Sequence, residues 1–317
     1  MTLSGLPHSL PGMSRLIADS ASLARPSVSA GIELLKPITW FAPMWAFGCG
    51  AISARSAGSA DQAGFWLVLA GVILAGPLLC GASQVVNDWC DRHVDAINEP
   101  QRPIPSGRMP GRSALYLAIV WTALSLAVGF ALGPWVGIAA ALGCVLSWAY
   151  SAPPLRLKRN GWWGNAAVAF SYEGLAWFTG AAVVAGGLPD ARIIFVAYLY
   201  SIGAHGIMTL NDFKAIEGDR ALGVRSLPVQ YGIRPAALIA CAVMVMPQAV
   251  VALLLPAWGA PWHGLAVAGL IGFQIVLMRR FMADPRGKAP WYNATGTSLY
   301  VLGMMIAAFA LAGINGG

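Results

Sequence analysis

Long apolar runs, separated by short polar stretches, make up most of the chain. Each run is about 20 residues long, the length that an α-helix needs to cross roughly 30 Å of hydrocarbon. The pattern therefore predicts an all-α polytopic membrane protein with nine transmembrane helices in a lipid bilayer. The predicted helices lie at about 31–53, 65–87, 113–132, 135–151, 164–185, 191–211, 233–256, 262–281 and 294–314.

Composition agrees with this pattern. Of the 317 residues, 57% are hydrophobic and only 10% are charged, whereas about a quarter of a soluble domain is charged. The five cysteines are scattered without paired spacing, which indicates neither a disulfide framework nor a zinc site. We expect residues 1–30 to form a mobile cytoplasmic tail, because they lack the pattern of a signal peptide. Residues 31–317 are predicted to form one transmembrane domain.

The basic residues predict the orientation in the membrane. When the loops are assigned alternately to two sides, all of the 20 Lys and Arg except Arg55 and Arg192 fall on one side. The positive-inside rule makes that side cytoplasmic and places the N-terminus there. The net charge of +7 is then explained by topology, and no basic domain stands clear of the membrane to bind nucleic acid.

Acidic residues are concentrated at the ends of the second and sixth runs. A carboxylate at the bilayer centre costs about 2.5–3.5 kcal/mol on insertion scales, so ionisable groups near membrane segments indicate a functional site. Both clusters fall on the predicted cytoplasmic side. Of the chain's 13 acids, the first cluster contains Asp88, Asp91, Asp95 and Glu99, and the second contains Asp212, Glu217 and Asp219.

The first cluster has helical spacing. Gln84, Asp88, Asp91 and Asp95 succeed one another at intervals of three and four residues, so they lie on one face of a helix. Like charges in such a stripe repel one another, and a divalent cation relieves the repulsion. Mg²⁺ commonly binds through one or two carboxylates together with substrate phosphates. The spacing therefore predicts a magnesium site.

The second cluster is less regular. Asp212 and Asp219 are seven residues apart and are predicted to share a helix face, while Glu217 lies off that line. The spacing predicts Asp88, Asp91, Asp95, Asp212 and Asp219 as metal ligands, and these five are also predicted to be catalytic.

Basic and amide side chains accompany both clusters in the predicted cytoplasmic loops. Together with metal ions they can neutralise a phosphate leaving group, and at a membrane the natural diphosphate is one that carries a lipid tail. Its allylic carbon can ionise and be captured by a membrane-soluble acceptor. The predicted diphosphate-binding residues are Asn87, Arg102, Arg108, Lys158, Arg159, Asn211 and Arg225.

Two sequence strings carry a family resemblance. Asn87-Asp-Trp-Cys-Asp-Arg-His-Val-Asp95, together with a second acidic helix end, resembles the UbiA superfamily of intramembrane prenyltransferases. The longer strings at 87–107 and 211–228 are most similar to the chlorophyll synthase branch, and the Trp-Cys-Asp-Arg-His variant to its purple-bacterial members. One departure is Ile216, where many superfamily members have an aspartate. The chlorophyll synthase pattern has Asp212, Glu217 and Asp219 instead, so the resemblance implies that Glu217 is also a metal ligand.

The resemblance implies a fold and a reaction. The fold is a UbiA-like bundle around a central cavity. The reaction is Mg²⁺-dependent esterification of the propionate of (bacterio)chlorophyllide by geranylgeranyl or phytyl diphosphate. A propionate is already anionic at neutral pH and needs no general base. The implied location is the bacterial inner membrane or an intracytoplasmic photosynthetic membrane, with room for a homo-oligomer or for partners in pigment biosynthesis and assembly.

Several alternatives stay open at this point. A UbiA-type enzyme could instead act on a quinone precursor or protohaem. An ion-coupled transporter is disfavoured, because its acids would lie at the bilayer midplane on broken helices. His205 is either a core histidine or a ligand of the pigment's magnesium. Glu173, beside Tyr172, either contacts the pigment or bonds between helices.

Overall fold

The fold is helical throughout the described residues. The computed structural model describes residues 25–55 and 64–315, so residues 1–24 of the predicted tail lie outside them. The helices are α1 Val28–Leu35, α2 Phe41–Ser53, α3 Phe65–Asn98, α4 Ser113–Ala131, α5 Pro134–Ser151, α6 Gly161–Ala185, α7 Ala191–Asp212, α8 Ile216–Ala221, α9 Leu227–Tyr231, α10 Ile233–Ala257, α11 Pro261–Ala283 and α12 Pro285–Asn315.

Eight of the helices in 25–55 and 64–315 are long and apolar enough to cross a membrane: α3 to α7 and α10 to α12. The polytopic helical prediction is confirmed, but the described part of the chain contains no ninth full-length span. The predicted span 31–53 is divided at Lys36, whose φ of 46° is left-handed, and at Pro37, which lacks an amide hydrogen. The helix on the C-terminal side of this break, α2, has only 13 residues.

Helix α3 carries the first acidic cluster. It has 34 residues, which corresponds to ~51 Å of helix, whereas the hydrocarbon core of a bilayer is ~30 Å thick. The helix was predicted to end near residue 87, but it continues to Asn98. The helix is therefore longer than the hydrocarbon is thick, and its last turns carry the acids.

Both α3 and α6 contain a π-helical stretch, at Leu74–Cys80 and Phe170–Leu175. In α3 the stretch contains Pro77, whose missing N–H and ring clash disrupt regular α-helical bonding. Such stretches are frequent at functional sites. Here both of them contribute residues to the same cavity.

Helix α2 packs closely on α6. A Cβ atom at Gly50 would lie 1.9 Å from the carbonyl oxygen of Trp177, and one at Gly180 would lie 2.0 Å from that of Phe47. Small residues allow two membrane helices to approach at backbone distance. These glycines therefore let α2 close one side of the space between α3, α5 and α6.

Candidate functional site

A cavity of about 240 Å³ lies between α3, α5 and α6. Asn87 and Tyr150 line its acidic end, and Ala75, Ala139 and Thr179 line its deep end. Asn87 and Ala75 are twelve residues apart on α3, which corresponds to ~18 Å of helix. The cavity thus leads from the acidic end of α3 into the apolar interior of the bundle.

Asp88 and Asp95 are buried and neutralised by cations. Asp88 Oδ1 lies 2.6 Å from Lys36 Nζ and 3.6 Å from Arg102 Nη1. Arg102 Nη1 also lies 3.0 Å from Asp95 Oδ2, and the same guanidinium bonds to Glu99. Since only 3% of Asp88 is exposed, its charge requires such partners. Lys36 and Arg102 supply them from before and after α3 in the sequence.

Asp91 is paired with a different set of cations. Its Oδ1 accepts a hydrogen bond from Arg156 Nη2 at 3.1 Å, and its Oδ2 lies 2.5 Å from Lys158 Nζ. Both cations come from the segment between α5 and α6. Hydrogen bonds between ionised partners are roughly twice as strong as neutral ones. The first acidic cluster therefore joins α3 to three other segments, which contain Lys36, Arg102 and the pair Arg156 and Lys158.

The second cluster lies on a broken helix. Helix α7 ends at Asp212, the chain turns with Ala215 N donating to Asp212 O at 3.1 Å, and α8 begins at Ile216. The prediction that Asp212 and Asp219 share the face of one helix is therefore wrong. The turn nevertheless leaves the two carboxylates within electrostatic range of each other.

Asp212 and Asp219 have no cationic neighbour within 4.0 Å among the described residues. Asn165 Nδ2 donates a hydrogen bond to Asp212 Oδ2 at 3.1 Å. Burial raises the pKa of Asp219 above its usual range, which means that burial disfavours its charged form. The negative charges of the second cluster are thus not balanced by nearby cations of the described residues, whereas those of the first cluster are.

Glu217 lies apart from Asp212 and Asp219. Its side chain is 63% exposed, and its Oε1 lies 2.6 Å from Arg286 Nη2. A hydrogen bond from its own backbone amide, together with Arg286, lowers its pKa. Side chains two residues apart on a helix point to nearly opposite sides, so Glu217 faces away when Asp219 faces inward. The structure does not bring this predicted metal ligand into the cluster.

Tyr150 lies between the two clusters. Its hydroxyl is within electrostatic range of Asp91, Asp212 and Asp219, and it lines the acidic end of the cavity. Within 25–55 and 64–315, no three His, Cys, Asp or Glu side chains converge closely enough to hold a metal alone. Two separated sets of carboxylates suit Mg²⁺, which completes its coordination with waters and substrate phosphates.

The remaining predicted diphosphate-binding arginines hold loops together. Arg225 N donates to Arg159 O at 2.8 Å, and Gly161 N donates to Arg225 O at 2.8 Å. This bridge ties the segment before α6 to the segment after α8. Arg108 lies elsewhere: its Nη1 is 2.6 Å from Glu33 Oε2, so it attaches the loop after α3 to α1.

The two predicted asparagines lie in different surroundings. Asn87 lines the cavity and donates to Ser151 Oγ at 3.3 Å. Asn211 Oδ1 accepts a hydrogen bond from Asn293 Nδ2 at 3.2 Å. Asn87 is thus available at the acidic end of the cavity, whereas Asn211 joins α7 to α12.

Of the three residues predicted to contact the pigment (Tyr172, Glu173 and His205), only Tyr172 lines the cavity. Tyr172 lines the cavity, and its hydroxyl accepts a hydrogen bond from Gln84 Nε2 at 2.9 Å. Glu173 is buried and does not line this cavity, and its Oε2 has no hydrogen-bond partner. His205 packs on Trp162 with ring centroids 5.2 Å apart, and its Nε2 lies 3.3 Å from Trp162 O. That placement favours the core-histidine interpretation.

Four contributors to the site were not predicted from the sequence: Lys36, Tyr150, Arg156 and Asn165. Arg156 stands in the same basic segment as the predicted Lys158, so it could have been included. Lys36 and Asn165 reach their aspartates across 52 and 47 residues of sequence. No local spacing signals contacts over such distances.

The chain is similar to known proteins along most of its length. A model of the UbiA prenyltransferase family matches residues 42–299. The chain is 57% identical to the bacteriochlorophyll synthase 33 kDa chain of Cereibacter sphaeroides, over 92% of this chain and 95% of that protein. It is 39% identical to the chloroplastic chlorophyll synthase of Oryza sativa subsp. japonica, over 88% of this chain and 76% of that protein.

The fold is also shared with a solved structure. A UbiA homolog from Archaeoglobus fulgidus, bound to DMAPP and Mg²⁺, matches with a TM-score of 0.70. The match covers 89% of this chain and 98% of that one, at 19% sequence identity. The predicted helical architecture is therefore confirmed at the level of the fold.

Proposed function

Since the chain belongs to the UbiA prenyltransferase family, we propose that it esterifies (bacterio)chlorophyllide with a geranylgeranyl or phytyl group taken from the diphosphate. The observation that carries this proposal is the 57% identity to a bacteriochlorophyll synthase chain over 92% of the sequence. The similarity to plant chlorophyll synthase points to the same acceptor class. The apolar cavity, with charge at one end, suits an amphiphilic donor.

The cations of the first cluster bind the diphosphate in this proposal. Lys36, Arg102, Arg156 and Lys158 all contact Asp88, Asp91 or Asp95. Arg and Lys are the usual partners of phosphate oxygens. The oxygens of a bound diphosphate would pair with these cations, and the carboxylates would then be free to hold Mg²⁺. Each charge then exchanges one partner for another, and none is left buried alone.

The carboxylates Asp88, Asp91, Asp95, Asp212 and Asp219 would hold Mg²⁺ on both sides of the diphosphate. Bound Mg²⁺ supplies positive charge that stabilises the departing diphosphate. Asn87 and Tyr150 lie where the cavity meets the acids and would position the first carbon of the donor. Leu79, Leu146 and Leu175 line the cavity and keep water from that carbon.

The transfer of the prenyl group to the propionate requires no proton transfer. The bond between the prenyl carbon and the diphosphate oxygen breaks, and its electron pair leaves with the diphosphate. A carboxylate oxygen of the propionate then forms the ester bond to that carbon. Because the acceptor is ionised at neutral pH, no residue has to act as a general base. Binding, orientation and charge stabilisation are sufficient contributions from the protein.

The proposal is tested with the purified full-length protein, Mg²⁺ and labelled geranylgeranyl or phytyl diphosphate. Each donor is offered bacteriochlorophyllide, chlorophyllide, a quinone precursor or protohaem. We expect a labelled ester with a chlorophyllide, and no product with the other acceptors. Transfer to the quinone precursor or to protohaem, with none to either chlorophyllide, would overturn the proposal in favour of the alternative acceptor class.

We also propose that the acidic end of the bundle and the N-terminus face the cytoplasm of a bacterial inner or photosynthetic membrane. The supporting observation is that all Lys and Arg except Arg55 and Arg192 fall on one side of the predicted topology. In a variant without natural cysteines, Arg192→Cys should react with an impermeant maleimide in intact cells. Lys214→Cys should react only after lysis. The reverse pattern would contradict this orientation.

A further inference from the structure

A layer of buried side chains lies beyond the deep end of the cavity. The deepest lining residues are Pro43, Ala75, Ala139 and Thr179, one from each of α2, α3, α5 and α6. None of them is large, so the cavity is still open at their level. The next side chains of these helices stand one helical turn further from the acidic end.

The four helices supply that next layer together. One turn is three to four residues, and one turn deeper than the lining residues stand Phe47, Gly71, Val136 and Val183. Phe47 is 0% exposed, Val136 1% and Val183 6%, and all three belong to one packed cluster. All four helices thus place a residue at this depth. We call the three buried side chains among them, Phe47, Val136 and Val183, the floor.

Phe47 is the largest side chain of the floor. A Cβ atom at Gly71 would lie 2.2 Å from Cζ of the Phe47 ring, so the ring rests directly against the backbone of α3. The same residue passes α6 at backbone distance, since a Cβ at Gly180 would lie 2.0 Å from Phe47 O. The ring therefore spans the gap between the helices and has little freedom to move aside.

We infer that the floor formed by Phe47, Val136 and Val183 limits the length of the prenyl chain that the protein binds. This inference rests on the proposed function, because it takes the diphosphate to lie at the acidic end. A donor held there directs its tail along the apolar cavity towards Phe47. Protein interiors are close-packed, so an additional isoprene unit cannot be accommodated without displacing the floor.

The inference predicts opposite effects for two substitutions. Phe47→Leu removes part of the floor and keeps an apolar side chain, so a chain one isoprene unit longer than the limit should lose less affinity than it does in the wild type. Ala139→Leu places a larger side chain into the cavity one turn above the floor, so the preferred chain should become shorter. Ala123→Leu makes the same change at an exposed position of α4, and serves as the matched control.

The test measures binding of unreactive thiolodiphosphate analogues to the purified full-length protein with Mg²⁺. The series comprises geranyl, farnesyl, geranylgeranyl and geranylfarnesyl chains, which differ by one unit per step. Affinity should rise with length and then fall at least about tenfold at the next unit, since a hydrophobic pocket discriminates one methylene by about 10–200-fold. The fall in affinity should become smaller in Phe47→Leu, occur at a shorter chain in Ala139→Leu, and stay unchanged in Ala123→Leu.

The outcomes separate this inference from the proposed function. Affinities that depend on length identically in wild type, Phe47→Leu and Ala139→Leu would overturn the inference alone. Failure of every analogue to bind would overturn both, because the cavity would then not be a prenyl site. Since no acceptor is present, the measurement stays decisive even when transfer to chlorophyllide is not observed.

Discussion

The two acidic clusters have similar sequences and different surroundings. In the first cluster, Asp88, Asp91 and Asp95 stand on the unbroken helix α3, and each contacts at least one Lys or Arg. In the second cluster, Asp212 and Asp219 stand on either side of a turn and are not paired with any cation of the described residues. Counting acids in a sequence therefore does not show how their charges are balanced.

The difference has consequences for metal binding. In the first cluster a metal must compete with Lys36, Arg102, Arg156 and Lys158 until a diphosphate engages these cations. In the second cluster two neighbouring carboxylates repel each other, and a divalent cation supplies the missing positive charge. We therefore expect metal binding at one cluster to be independent of the other cluster unless a diphosphate is bound between them.

The largest effect is expected for Asp91→Asn. The substitution removes a proposed metal ligand and leaves Arg156 and Lys158 without their carboxylate. We expect kcat/KM for ester formation to fall about 10³-fold, the upper range for loss of one electrostatic group in an active site. Folding is checked by thermal unfolding in detergent. Wild-type activity in a correctly folded variant would refute a role for the first cluster.

A smaller loss is expected for Asp212→Asn, about 10²-fold in kcat/KM. The Asn side chain has the same size as Asp and can still accept the hydrogen bond from Asn165, but it carries no charge. Binding of Mn²⁺ without diphosphate, monitored by electron paramagnetic resonance, sharpens the comparison. It should be weakened in Asp212→Asn and unchanged in Asp91→Asn. The opposite result would mean that the cations of the first cluster do not exclude a metal.

How far the sequence predicts this site can be judged from the same two clusters. The stripe on α3 was predicted correctly, because spacing of three and four residues has one meaning on a helix, and the family resemblance is confirmed by the matched family model. The shared face of Asp212 and Asp219 was wrong, because no proline or glycine between 212 and 216 signals the end of α7. Partners such as Lys36 depend on tertiary packing, which local patterns do not encode.

Lys36→Met tests whether the cations of the first cluster serve the donor. Methionine keeps the length and apolar stem of the side chain and removes the charge that lies 2.6 Å from Asp88. We expect KM for the prenyl diphosphate to rise about tenfold, the lower range for a hydrogen bond to a charged group, with a smaller change in kcat. An unchanged KM together with a lower melting temperature would show that Lys36 is only structural.

The smallest effect is expected for Glu217→Gln in the second cluster. Glu217 and Asp219 are two residues apart on α8, but Glu217 is exposed and paired with Arg286, whereas Asp219 lies near Asp212 and Tyr150. Glu217→Gln should leave kcat/KM within about twofold, since exposed ion pairs contribute little. Asp219→Asn should reduce it at least about tenfold. Equal losses in the two variants would return Glu217 to the set of metal ligands and show that α8 reorients when the donor binds.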